Sequence, residues 1–289
     1  MKNVYDESCY RKRKIKEIMG TATHYLLLFI VAILSFFPIL WAVLTAMKTP
    51  AEIYSYPLTY LPKTPTLENF IKALFETKFY VYIRNSIIVS VSVTLLTILI
   101  SSLASYALAR LRFRGRRELI MLVLFLIVFT SIAILPSVYL IFKSLGLVNT
   151  FISIILTHAG LFSPLATWIL TNYFRSVPPS IEEAALIDGA SVLRVIKDIV
   201  LPVSLPGLGA TSIIVFTLSW CEFPFSLVLL TKDEVRTVVV GISLYPGEYA
   251  FPWHTILAAT VIAIIPLLIF FLLFQRYIIS GLTAGALKY

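Results

Sequence analysis

Few side chains in this chain could do chemistry, and they fall in two places. The first is the polar run Pro178-Pro179-Ser180-Ile181-Glu182-Glu183-Ala184-Ala185-Leu186-Ile187-Asp188-Gly189-Ala190, followed by Ser191 and then Ile199-Val200-Leu201-Pro202. The second is a thin set inside apolar sequence: His158 with Thr157 and Ser163 nearby, and Glu222 beside Trp220 and Cys221. Hydrolysis or group transfer needs converging carboxylates, or a nucleophile with a base and an orienting group. One histidine and one glutamate are too sparse for that. An ionisable group in apolar sequence still marks a candidate pathway position, so His158, Trp220 and Glu222 are candidates for a solute path. An interhelical hydrogen bond is the simpler reading of His158. Cys9 and Cys221 lie far apart on different kinds of segment, which argues against a disulfide framework or a zinc site, and no metal ligand set is expected. No phosphate-binding G-x-x-x-x-G-K-[ST] loop occurs, so any ATP hydrolysis belongs to another chain and no cofactor is expected on this one.

The elements that must position these residues are membrane helices. Hydrophobic residues make up 59% of the 289 and charged residues only 13%, far from soluble averages. Six apolar segments run approximately Tyr25–Met47, Ser86–Leu108, Leu119–Phe142, Phe151–Phe174, Gly207–Leu230 and Thr255–Phe274. About 20 helical residues cover roughly 30 Å of hydrocarbon, and backbone amides in lipid must pair within their own segment. Pro38, Pro136 and Pro164 inside three segments predict kinks. The first segment has the basic leader of a signal peptide but is too long and lacks a small-residue cleavage site, so a retained anchor is expected. The 48–84 connection, rich in proline, is expected to form an outer loop with one short helix near Leu67–Phe75. His24 and His254 fall at membrane boundaries, Trp168 and Trp253 read as interfacial anchors or core packing, and Asp233 and Glu234 as solvated loop charges.

The formal charge of +9 is explained by topology and needs no nucleic acid. Lys2, Arg11, Lys12, Arg13, Lys14 and Lys16 precede the first segment, and Arg110, Arg112, Arg114, Arg116 and Arg117 follow the second. Lys143 stands alone between the third and fourth. Positive charge stays inside, so both termini and the 175–204 insert are expected in the cytoplasm.

That insert reads as two short helices at an elbow. Ser180 and Glu183 match a capping box, Gly189 can end the first helix in the left-handed conformation, and Ser191 can cap a second. Val192, Val195, Ile196, Ile199 and Val200 give the second helix one apolar face, Leu201-Pro202 ends it, and Pro206 introduces the fifth segment. Physics alone leaves two readings open: a capped amphipathic connector, or a docking loop.

Glu183-Ala184-Ala185, then Gly189, then Ile199-Val200-Leu201-Pro202, resembles the EAA loop of binding-protein-dependent ABC importer permeases, and its place between segments four and five agrees. Leu67-Glu68-Asn69-Phe70, Asn85-Ser86-Ile87-Ile88-Val89, the 104–110 run ending in Arg110, Phe113-Arg114-Gly115, the 145–150 run and the 275–288 tail are similar to the carbohydrate, MalG-like branch. Cys221 departs from it, standing where Asn is common.

The resemblance implies an all-α integral membrane protein with the six-helix, type I ABC importer permease fold: a cytoplasmic tail at 1–24, the transmembrane domain at 25–280 with its loops at 48–84 and 175–204, and a second cytoplasmic tail at 281–289. It implies a sugar permease of the cell membrane paired with a second, homologous permease, two copies of a cytoplasmic ATPase that uses ATP and magnesium, and an extracytoplasmic solute-binding protein. Glu183, Ala184, Ala185, Asp188, Gly189, Ala190, Ile199, Leu201 and Pro202 would couple to the ATPase. Gly281, Thr283, Gly285 and Lys288 would reach its interface. A glycerol phosphate or polyol permease is the alternative within the family. An ion-coupled carrier would show interrupted helices in corresponding halves and intramembrane charge, and neither it nor a membrane enzyme fits as well.

Overall fold

The computed structural model describes residues 2–128, 131–245 and 251–286. Every regular element among them is helical. Four helices are long and apolar enough to cross a membrane, or six if each of two bent pairs counts as one span. The chain divides into two compact units, 1–70 with 253–261, and 71–252 with 262–289.

In the first unit, α1 (Lys2–Ala46) is one unbroken helix with Pro38 inside it. The expected 1–24 tail is therefore helical and continuous with the first span. The proline-rich connection that follows is fastened to itself. Thr49 and Glu52 form a capping box on α2 (Pro50–Ile53), and Glu52 Oε1 accepts from the Lys63 amide at 2.8 Å. Asn69, at the start of α3 (Glu68–Ile71), donates Nδ2 to the carbonyls of Ala46 (2.7 Å) and Lys48 (2.8 Å). The short helix expected near 67–75 is present as α3 with a following π-turn over Lys72–Glu76.

The second unit is built on α4 (Phe79–Arg110) and α7 (Phe151–Ser176), with α11 (Leu205–Cys221) against both and α5 (Arg116–Val128) against α7. The buried side of α4 is lined with small hydroxyl residues, and Ser101 and Ser105 donate to the Ser163 and Thr167 carbonyls of α7 at 3.2 and 2.9 Å. Small residues let helices approach closely where apolar burial gives no drive in lipid. The same logic reaches α11, where a Cβ at Gly207 would fall 2.5 Å from the Tyr173 ring and one at Gly209 2.6 Å from Tyr277.

Two expected spans are broken. The third becomes α5 and α6 (Leu135–Ser144), whose axes differ by 86°. Pro136 lies in the first turn of α6, where a missing amide does no harm, instead of kinking a helix interior. The fifth is shorter than 207–230: α11 stops at Cys221, Glu222 is extended (φ −70°, ψ 127°), and α12 (Pro224–Leu229) begins anew. Pro224 is again in a first turn. Pro164 and Pro266 are both inside unbroken helices, the latter in α14 (Trp253–Ala286).

Asparagines fasten the loops at one end of this unit. Asn149, in the left-handed conformation (φ 64°), accepts at Oδ1 from the Thr231 and Lys232 amides at 2.7 and 3.0 Å. Asn85 donates to the Glu234 and Arg236 carbonyls at 2.9 and 3.0 Å, and Ser86 Oγ accepts from Val238 N at 2.8 Å, at the start of α13 (Val238–Ser243). Asp233 is ion-paired with Arg236 while staying mostly exposed.

Candidate functional site

At the other end of α4 and α7, the polar run folds into two short pieces around Gly189. The first, α8 (Pro179–Ile187), starts differently from expectation. Its N-cap is Pro178 and no side chain caps it, so the Ser180–Glu183 capping box does not form. Pro179 explains this: its fixed φ and absent N–H favour the first helical position, which starts the helix two residues earlier than a Ser180 cap would and moves Ser180 inside.

The end of α8 is as the sequence requires. Gly189 adopts φ +87°, the Ala190 amide donates to the Ala185 carbonyl at 3.0 Å and the Gly189 amide to Leu186 at 3.1 Å. This is a Schellman closure with Asp188 as the capping residue. Ser191 then caps α9 (Val192–Val195), accepting from the Arg194 amide at 3.4 Å. The helix continues through a π-turn over Ile196–Val200 into α10 (Leu201–Val203) and ends at Ser204, beyond the Leu201-Pro202 stop expected. Pro206 sits in the first turn of α11 as expected, and the turn at Ser204 bends the path by 79°.

Both pieces are divided into an inward and an outward side. Val195, Ile196 and Val200 are buried in one cluster with Tyr106 of α4 and Phe174 of α7, and Ala109, Ala185, Ala190 and Leu201 pack against it. Ile199 is half-buried and Val192 exposed, so the apolar face is narrower than the sequence pattern. Glu182 is buried and receives Arg110 of α4, with Nε at 2.7 Å and Nη2 at 2.6 Å from Oε1. Arg110 Nη2 also donates to the Val177 carbonyl at 2.7 Å. Sequence reading singled out Glu183 and passed over its neighbour. The missed signal was helical phase: Glu182 shares a face with Ala185, one turn on, whereas Glu183 does not.

The outward side is Glu183, Ala184, Ile187 and Asp188, all exposed, with Pro202 exposed further along. Ile187 is 85% exposed and Leu193, after the elbow, 70%. These large apolar side chains stand open beside Ala184 and the carboxylates of Glu183 and Asp188.

The second set of candidates is elsewhere. His158 of α7 is fully buried between α11 and the break after it, with Nδ1 3.0 Å from Ser219 Oγ and Nε2 3.0 Å from Glu222 Oε2. The Glu222 carboxylate also accepts from the Phe225 amide (2.8 Å) and the Ser226 amide (3.0 Å), closing the N-terminus of α12. The interhelical bond expected of His158 is present, and Glu222 is a fastener of three helices. Glu222 also lines, with Thr157, an otherwise apolar cavity of 580 Å³ between α5, α6, α7 and α11. Trp220 does not line it: the ring is buried and stacked on Phe216, which stacks in turn on Phe270 of α14. Gly281, Thr283 and Gly285 fall on α14, which carries the helix into the expected 281–289 tail, and Lys288 lies outside the described residues.

Residues 98–283 match the model of a family described as "Binding-protein-dependent transport system inner membrane component". The chain is 40% identical over 262 residues to the trehalose/maltose transport system permease protein MalG of Thermococcus litoralis, covering 90% of this chain and 94% of that one. It is 38% identical over 252 residues to the sulfoquinovosyl glycerol transport system permease protein SmoH of Agrobacterium fabrum, covering 87% and 88%. In fold it resembles a chain of a bacterial ABC transporter involved in the import of the acidic polysaccharide alginate, with a TM-score of 0.77, 23% identity and coverage of 90% and 96%.

Proposed function

This chain belongs to the binding-protein-dependent transport system inner membrane components, and we propose that it is one permease half of an ATP-driven importer of sugars or glycosides. Relatives named for trehalose/maltose, sulfoquinovosyl glycerol and arabinooligosaccharides support that solute class. Its companions in this reading are a second, homologous permease, two ATPase subunits and an extracytoplasmic binding protein. The arginines at 110–117 support a cytoplasmic side for the α8 elbow and both termini in this reading, because positive charge is retained there.

The division of α8 into two sides carries the mechanism. The outward side enters a cleft on the ATPase, with Glu183 meeting a basic group, Ala184 admitting close approach and Ile187 burying apolar area. The inward side is held to α4 through Arg110–Glu182 and to α7 through the Phe174 cluster. When the two ATPases close on ATP, a displacement imposed on Glu183 is carried through Arg110 into the long helices, and the pathway turns from inward- to outward-open. Along that pathway Glu222 is the acceptor that a sugar hydroxyl would meet, with His158 orienting it from behind. In this reading Gly281, Thr283 and Gly285, near the end of α14, reach the ATPase interface together with Lys288.

Cysteines placed at Ala184 and Ile187 test the reading against cysteines on the co-expressed ATPase. Cross-links that form in energised vesicles and change with ATP, in a complex that takes up labelled disaccharide, are the expected result. A complex that transports while neither position is ever captured would overturn it.

A further inference from the structure

Another feature near this end of the bundle is not used by the docking surface. A groove of 740 Å³ opens where α5 begins, and cations from two helices converge on it: Arg116 and Arg117 from the first turn of α5, and Arg175 from the last turn of α7. Its floor is apolar, with Ile120, Met121 and Leu124 along one side of α5. Arg116 is engaged, donating to the carbonyls of Leu108 (2.9 Å) and Ala109 (3.3 Å) at the end of α4. Arg117 and Arg175 are exposed, and neither has an ion-pair or hydrogen-bond partner among the described residues. Glu118 is the one carboxylate in the rim.

Retaining cations on one side of a membrane requires only that they be there. It does not require that two helices bring them together over an apolar trough. That combination matches an anionic amphiphile, and α5 turns from arginines to continuous apolar sequence within one turn, the level at which headgroups give way to acyl chains. The planar guanidinium fork suits phosphate oxygens. We propose that the groove binds an anionic glycerophospholipid, its phosphate between Arg117 and Arg175 and an acyl chain along Ile120, Met121 and Leu124. Bound there, the lipid joins the start of α5 to the end of α7. The inference needs the membrane placement of the chain but not the docking of α8.

The experiment reads lipid instead of transport. The assembled complex is reconstituted in phosphatidylcholine vesicles carrying a photoactivatable phosphatidylglycerol, or the matching phosphatidylcholine, and labelled peptides are mapped by mass spectrometry. The expected result is selective labelling of 113–124 by the anionic probe, falling roughly five-fold for each of Arg117→Gln and Arg175→Gln, as about 1 kcal/mol per charge at an anionic surface implies. Arg112→Gln with Arg114→Gln removes as much charge beside the groove as the double variant Arg117→Gln with Arg175→Gln, and leaves labelling in place. Equal labelling by the two probes overturns the proposal. So does an equal loss in the Arg112/Arg114 variant, which reports a general basic field, and so does full displacement by inorganic phosphate, which reports a free-anion site. If the double Arg117/Arg175 variant fails to insert, Arg175→Gln alone carries the same comparison.

Discussion

Arg110, the last residue of α4, places its Nη2 2.6 Å from Glu182 Oε1, with both side chains largely out of water (13% and 6% exposed). The same guanidinium holds the Val177 carbonyl, so one side chain ties the end of a membrane helix to both the entry and the first turn of α8. Removing one partner of a buried pair typically costs about 3–5 kcal/mol, because the other charge is left uncompensated.

Arg110→Ala and Glu182→Gln are therefore expected to lower the thermal stability of the assembled complex and its uptake together. The exchange Arg110→Glu with Glu182→Arg should recover part of both. Glu183→Lys is expected to separate the two readouts: it inserts and unfolds like wild type, since exposed substitutions shift stability by only about 0.5 kcal/mol, but uptake and ATPase co-purification are lost. Thermal scans beside uptake assays check the contrast, and a Glu183→Lys complex that transports normally refutes the docking role.

Gly189 offers a test by backbone alone. Nothing lies within 4 Å of a Cβ built there, so any effect of substitution comes from φ +87° and not from crowding. Gly189→Ala should cost roughly 1–2 kcal/mol locally and Gly189→Asn less, since Asn tolerates the left-handed region. Gly189→Pro also removes the amide that bonds Leu186 and should abolish ATPase association. A pull-down series across the three variants should follow that order.

At Gly207 the prediction is steric. Gly207→Ala drives a methyl into the Tyr173 ring, and overpacking of this kind costs about 1–3 kcal/mol. Tyr173→Ala in the same chain should relieve part of the loss. A double-mutant cycle on the unfolding of the complex measures the coupling, and additive effects would show that α11 and α7 do not meet there.

Glu222→Gln keeps size but weakens the acceptor that closes α12 and holds His158. It is expected to reduce uptake more than His158→Ala does, because His158 touches Glu222 but does not line the cavity. Uptake by the two variants at matched membrane levels decides the order.

Much of this was legible in the sequence for identifiable reasons. Gly189 announced its turn because only glycine takes φ +87° without strain, and Ser191 announced its cap by standing before an apolar helical pattern. The runs around Asn69, Asn85 and Asn149 were legible only as resemblance. Each supplies a side-chain amide or carbonyl that fastens a distant loop, and no local pattern says which loop. The Arg110–Glu182 tie was hidden because its partners lie far apart in sequence, and because a carboxylate at Glu183 looked like a cap. The breaks at Glu222 and before Pro136 were hidden for the opposite reason. Hydropathy averages over a span and does not register that a proline can begin a new helix inside it. Pro266, which interrupts nothing visible, went unnoticed.

The split of α8 has an evolutionary reading. In the docking reading Ile181 and Ile187 of α8, with Leu193 of α9, are free to vary with a changing companion, while Glu182 and Ala185 pack only on their own chain. A graft of the solvent-side residues alone should then re-address this subunit to a foreign motor, leaving solute choice where it was.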